Sequence, residues 1–168
     1  RALGGLFAYR FGGRDHAESR FTAAVWSGAL PFGWRGAARY EQVAAQLQTP
    51  AQVRLVEDVT ASAWTIGADR ALAGGRFGLT LSQPLRVEGG AISAVTPSGL
   101  DEDHRTVFER RTASLAPSGR EVSLEASWRV ALDDATSASI AARFTNEPGH
   151  IRKGEDEGLI WMGLRTRW

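Results

Sequence analysis

The sequence predicts an all-β chain built from a row of antiparallel strands. Two observations predict it. Apolar and polar residues alternate with period two along most of the chain, and Gly, Pro, Asp or Ser interrupts that alternation every ten to fifteen residues.

Ten strands account for the pattern in order. Residues 3–11 alternate Leu3, Phe7, Tyr9 and Phe11 against Arg10, and 20–27 follow as a second strand. In 33–45, Trp34, Ala38 and Tyr40 oppose Arg35, Arg39 and Glu41; Tyr40, Val43 and Leu47 also fit a helical spacing, but strand is retained. Strands at 53–66 and 75–85 come next, the latter setting Phe77, Leu79, Leu81 and Leu85 against Gly78, Thr80 and Ser82. A Gly89-Gly90 turn leads to 90–96, and 105–115 follows. The clearest strand is 120–132, with Val122, Leu124, Ala126, Trp128, Val130 and Leu132 on one side and Glu121, Ser123, Glu125, Ser127 and Arg129 on the other. Pro117-Ser118-Gly119 and Asp133-Asp134 bound it as turns. In 136–146, Ile140, Ala142 and Phe144 oppose Arg143; in 158–168, Ile160, Met162, Leu164 and Trp168 oppose Trp161, Gly163, Arg165 and Arg167.

Composition narrows the function classes. The formal net charge of +1 gives no footprint for nucleic acid. Without cysteine there is no disulfide framework, thiolate metal site or cysteine nucleophile. No run approaches the ~18 apolar residues of a membrane helix. The chain starts at Arg1 without an initiator Met or a signal peptide, which reads as a piece of something longer.

An amphipathic antiparallel sheet can bury its apolar face in a dry sandwich or soluble barrel, or turn it toward lipid around a polar lumen. Periodicity gives both the same string. Three features favour lipid. Arg35, Arg39, Glu125, Arg129, Arg165 and Arg167 share the polar side mid-strand, where both signs can pair across a lumen. Six Trp fall mostly toward strand ends, as in interfacial girdles, so that Trp34, Tyr40, Leu124, Trp128 and Leu164 are expected to face lipid or its borders. The end of the chain weighs most. It resembles the terminal signal of outer-membrane barrels read by the barrel-assembly machinery, carried by Trp161, Gly163 and Trp168; Thr166 departs from it, where an apolar residue is expected.

From about Ala63 onward the chain resembles the C-terminal region of exported subtilisin-like serine peptidases of alphaproteobacteria. The strings that carry the likeness are Gly78-Leu-Thr-Leu-Ser-Gln-Pro-Leu-Arg-Val-Glu88, Ala113-Ser-Leu-Ala-Pro-Ser-Gly-Arg-Glu-Val-Ser-Leu-Glu-Ala-Ser-Trp128 and Glu147-Pro-Gly-His150. The resemblance implies an autotransporter-like translocator or anchor behind a covalently attached protease passenger. That family's Asp-Thr-Gly, His-Gly-Thr and Gly-Thr-Ser motifs are absent, so no catalytic residue carries over.

Remaining candidates give no enzyme and no cofactor. Asp15-His16 and Asp103-His104 are sequence neighbours in loops without a Gly-x-Ser-x-Gly turn, and His150 reads as a surface residue. Asp101-Glu102-Asp103-His104 lacks the spaced ligands and Gly of a calcium loop. The expectation is one domain over residues 1–168: an antiparallel up-and-down outer-membrane β-barrel of about ten strands, range eight to twelve, in a Gram-negative bacterium. The alternative is a soluble β-sandwich or lipocalin-like accessory module. The ten-strand count puts the loop at 98–104 on the same side as Trp168, where barrel turns should be short, and 151–157 on the opposite side.

Overall fold

The computed structural model describes residues 3–12, 17–47 and 53–167. Nine strands run in chain order: β1 Leu3–Gly12, β2 Ala17–Ala29, β3 Arg35–Leu47, β4 Val53–Leu72, β5 Gly75–Leu100, β6 Thr106–Ser114, β7 Val122–Ala131, β8 Thr136–Asn146 and β9 Glu157–Thr166. They make one antiparallel sheet in the order β1-β2-β3-β4-β5-β7-β8-β9, with β6 attached to β5. β7 pairs with residues 75–82 of β5 and β6 with residues 91–100, so the two descend along one strand and occupy one position of the meander. The result is an up-and-down sheet of eight positions. Among the described residues β1 pairs only with β2 and β9 only with β8, so the sheet is not closed into a ring.

Residues Tyr40 to Leu47, compatible with a helix by spacing, are strand because both neighbours demand it: Ala45 pairs with Ser19 of β2 and with Val59 of β4. Cross-strand hydrogen bonding outweighs the local preference. The partition differs from expectation at one place. The predicted strands 75–85 and 90–96 are a single strand, and Gly89-Gly90 is a bulge inside it. Gly90 has φ +133°, and a Cβ there would lie 3.2 Å from the Val59 Cα. Glycine thus permits a distortion of the ladder here, where a chain reversal was expected. Pro84 falls where β5 has one residue more than β4, between the Trp64–Gln83 and Ser62–Arg86 pairs. A residue without an N–H is tolerated at such a shift.

This merger reverses the placement of the acidic loop. Asp101 to Arg105 caps the β5–β6 hairpin at the end of the sheet opposite the last residues of β9. It shares that upper end with the β8–β9 connection. The described turns at the lower end are short: Pro31–Gly33, Ala73-Gly74 and the four residues Leu132 to Ala135. Ala73 (φ 49°) and Gly74 (φ 72°) form a two-residue reversal of left-handed backbone. Asp133 Oδ1 accepts from the N–H of Ala135 (2.8 Å) and of Thr136 (2.6 Å), which makes the last of these turns.

A dry core is missing among the described residues. The buried hydrophobic residues are Ala23, Ala61 and Ala141 alone, and the buried polar ones are Ser62, Gln83, Ser93, Ser123 and Thr145. Small and polar groups are inside and large apolar ones outside, the inverse of a water-soluble domain.

Candidate membrane surface and inner polar face

Paired residues in an antiparallel ladder share a face, so register assigns every row. One row runs Trp26, Ala38, Ile66, Leu81, Leu124 and Phe144 from β2 to β8. The next contains Ala68, Leu79, Ala126, Ala142 and Ile160, and the one below it Arg70, Phe77, Trp128, Ile140 and Met162. These rows form an apolar outer face that no second layer covers: Ile66 is 55% exposed, Leu124 49%, Phe144 51% and Met162 81%.

Both borders of the band are built from aromatic and polar groups. At the upper border Tyr40 pairs with Trp64, whose indole Nε1 donates to Gln83 Oε1 (3.1 Å); the next row up is Thr22, Gln42, Ser62 and Arg86. At the lower border Trp34 meets Phe77 edge to face, centroids 6.3 Å apart, and the Arg70 guanidinium lies 5.6 Å from the Trp34 ring centre. Trp128 Nε1 donates to the Leu72 carbonyl (3.3 Å). The Trp64 and Trp128 indoles thus each give their N–H a partner at a border of the band. The predicted outward residues Trp34, Tyr40, Leu124, Trp128 and Leu164 all lie on this face. From Trp64 to Leu72 the band spans nine residues of β4, roughly 26 Å along the strand.

The opposite face holds the charges. Arg35, Arg39, Glu125, Arg129 and Arg165 fall on it by register, and Arg167 lies just past β9 with its N–H donating to the Ala135 carbonyl (3.0 Å). Asp69 bridges Arg35 (3.2 Å) and Arg76; Arg39 pairs with Glu41; Glu125 takes two bonds from Arg143 (2.6 and 3.0 Å). Arg143 also sits 5.6 Å over the Trp161 ring. A hollow of about 620 Å³ lies here between Ser27, Arg35, Asp69, Thr80 and Ser127. It also carries Phe21, Val25 and Val43, so it is mixed on β2 and β3. Trp161 and Gly163 of the predicted terminal signal lie here, where a Cβ on Gly163 would be 3.0 Å from Ser139 Oγ. Trp168 lies outside the described residues.

Asp69 and Arg76 are charge partners not expected from the sequence, where the fourth strand ends at residue 66. The alternation of Gly67, Asp69 and Ala71 against Ile66, Ala68, Arg70 and Leu72 was the available signal.

Above the band the three strings of the resemblance meet. Glu88 of the first accepts from Ser62 Oγ (2.8 Å), from both terminal nitrogens of Arg120 (3.0 and 2.8 Å) and from Arg86. Arg86 also donates to the carbonyls of Gly119 (2.8 Å) and Pro117 (3.0 Å). Burial pushes the Glu88 carboxyl up; the hydrogen bonds from Arg120 and Ser62 and the charges of Arg120 and Arg86 outweigh it, leaving the group below the ordinary glutamate value. From the third string, Glu147 accepts from the Arg120 N–H (2.8 Å), and His150 bonds through both ring nitrogens. Its Nδ1 accepts from the Glu121 N–H (2.9 Å), and Nε2 lies 3.2 Å from the Leu85 carbonyl. His150, read from sequence as a surface residue, is a half-buried fastener between β5, the 115–121 loop and the β8–β9 connection.

His104 sits at φ 61° in a turn made by Asp101 Oδ1, which accepts from the N–H of Asp103 (2.9 Å) and Arg105 (2.8 Å). His16 lies outside the described residues. No group of three or more His, Asp or Glu among the described residues is placed to hold a metal. No family model, curated protein or solved structure matches this chain.

Proposed function

We propose that this chain is the outer-membrane β-barrel region of a Gram-negative cell-surface or secreted protein, serving as translocator or anchor and not itself catalytic. The observation that carries the proposal is the exposed row Ile66, Leu81, Leu124 and Phe144 on one face, set against ion pairs on the other. In water such a face is an aggregation surface; in hydrocarbon it is the surface that a sheet must present. Strands β7, β8 and β9, of ten, eleven and ten residues, match the ~9–11 needed to cross a bilayer at a tilt. Short turns at one end and longer structure at the other follow the periplasmic and extracellular asymmetry of such barrels. Closure, by β1 meeting β9 or by further strands, removes two open edges that lipid does not tolerate.

The cargo is a subtilisin-like serine protease passenger, a reading that rests on the three strings joined at Glu88, Arg120 and His150. The partners are then outer-membrane lipid, the barrel-assembly machinery that reads Trp161, Gly163 and Trp168, and that passenger. The test is refolding in detergent or lipid vesicles, followed by gel electrophoresis with and without boiling. A fold that forms only with amphiphile and migrates differently before boiling supports the proposal. A freely soluble, folded monomer in buffer overturns it and favours the soluble accessory module.

A further inference from the structure

At the lower end of the charged face the charges do not balance. A hollow of about 660 Å³ is lined by Arg76, Arg129, Arg165 and Arg167, with Asp133 and Asp134 as its acidic members. Arg76 and Arg129 are direct cross-strand partners, an arrangement in which like charges repel. Arg76 has Asp69 as a counter-ion, but Arg129, Arg165 and Arg167 have no ion pair among the described residues. Asp133 and Asp134 set two negative charges against these three arginines, so the lining keeps a net positive charge. β9 lies two strand spacings from β7, about 10 Å, within the combined reach of two extended arginine side chains.

We infer that this hollow binds a multiply charged phosphate anion, held between Arg129 and Arg76 on one side and Arg165 and Arg167 on the other. Guanidinium forks match phosphate oxygens two at a time, and a dianion supplies counter-charge to Arg129, Arg165 and Arg167, which have no ion pair of their own among the described residues. The site lies on the charged face and so does not depend on what the apolar face meets.

The probe is inorganic pyrophosphate, titrated calorimetrically into the folded chain in detergent at fixed ionic strength, with chloride as the comparison anion. Saturable binding is expected, weakened at least about tenfold in Arg129→Gln/Arg165→Gln, since each charged hydrogen bond contributes more than a factor of ten. Arg70→Gln, at the same end but on the outer face, should leave the affinity unchanged. Circular dichroism and the unboiled gel position verify that each variant is folded. Pyrophosphate heats no different from chloride, or equal affinity in the folded double variant, overturn the inference.

Discussion

Replacing Leu79 by arginine tests the orientation of the sheet through energy. Leu79 is 39% exposed on the outer face, with Phe77 and the lower aromatic border on one side and Leu81 and Gln83 on the other. It stands four residues from Gly75 and four from Gln83, ~13 Å along the strand and ~10 Å in height from either border. An arginine at that depth in a bilayer costs ~2–4 kcal/mol, a factor of ~30 to ~900 in the folding equilibrium. The same residue on a water-exposed strand changes stability by no more than ~0.5 kcal/mol. Urea titration of refolding into lipid vesicles, followed by gel shift, measures the difference. Thr80→Arg, one residue along and on the inner face, should cost less than ~1 kcal/mol, and Leu124→Arg should lie between the two. A Leu79→Arg variant as stable in vesicles as the parent chain refutes the reasoning.

Three further outcomes follow from the charged and strained positions. A double-mutant cycle on Glu125 and Arg143, both partly exposed, should give a coupling of ~0.5–1 kcal/mol; zero coupling removes that pair from the account of the inner face. Because the folded state holds Glu88 below its ordinary value of 4.5, its contribution is complete above that pH and fades as pH falls through the lower, folded value. Amide protection in residues 115–121 and 147–156, taken relative to the intrinsic exchange rate at each pH, should therefore fall below pH ~4 and be constant from pH 5 to 8; uniform protection down to pH 3 contradicts this. Gly90→Ala should destabilise by ~1–3 kcal/mol through its left-handed backbone and the Val59 contact, whereas Gly99→Ala, with nothing within 4 Å of its Cβ, should be near neutral in thermal melts.

Much of this architecture is legible in the sequence because a period of two is a direct consequence of strand geometry. The Val122-to-Leu132 alternation alone separates the apolar and polar sides of β7, and pairing then carries that separation to its neighbours. Glycine is where legibility fails. Gly89-Gly90 looks like a turn locally, and only the continuing β4 ladder beyond Thr60 shows that the strand passes through it. One miscounted turn reversed the side assigned to Asp101-Glu102-Asp103. The cluster of Glu88, Arg120, Glu147 and His150 was invisible for another reason: its members are up to 62 residues apart and meet only through tertiary register.

The most direct measurement exploits the absence of native cysteine. Leu81→Cys and Ser82→Cys are adjacent in β5 and lie on opposite faces. Each carries an environment-sensitive fluorophore, and the chain is refolded into vesicles containing acyl-chain nitroxide lipids. The account expects blue-shifted, strongly quenched emission from position 81 and red-shifted, weakly quenched emission from position 82. Equal quenching at both positions, or stronger quenching at 82, contradicts an outward apolar face.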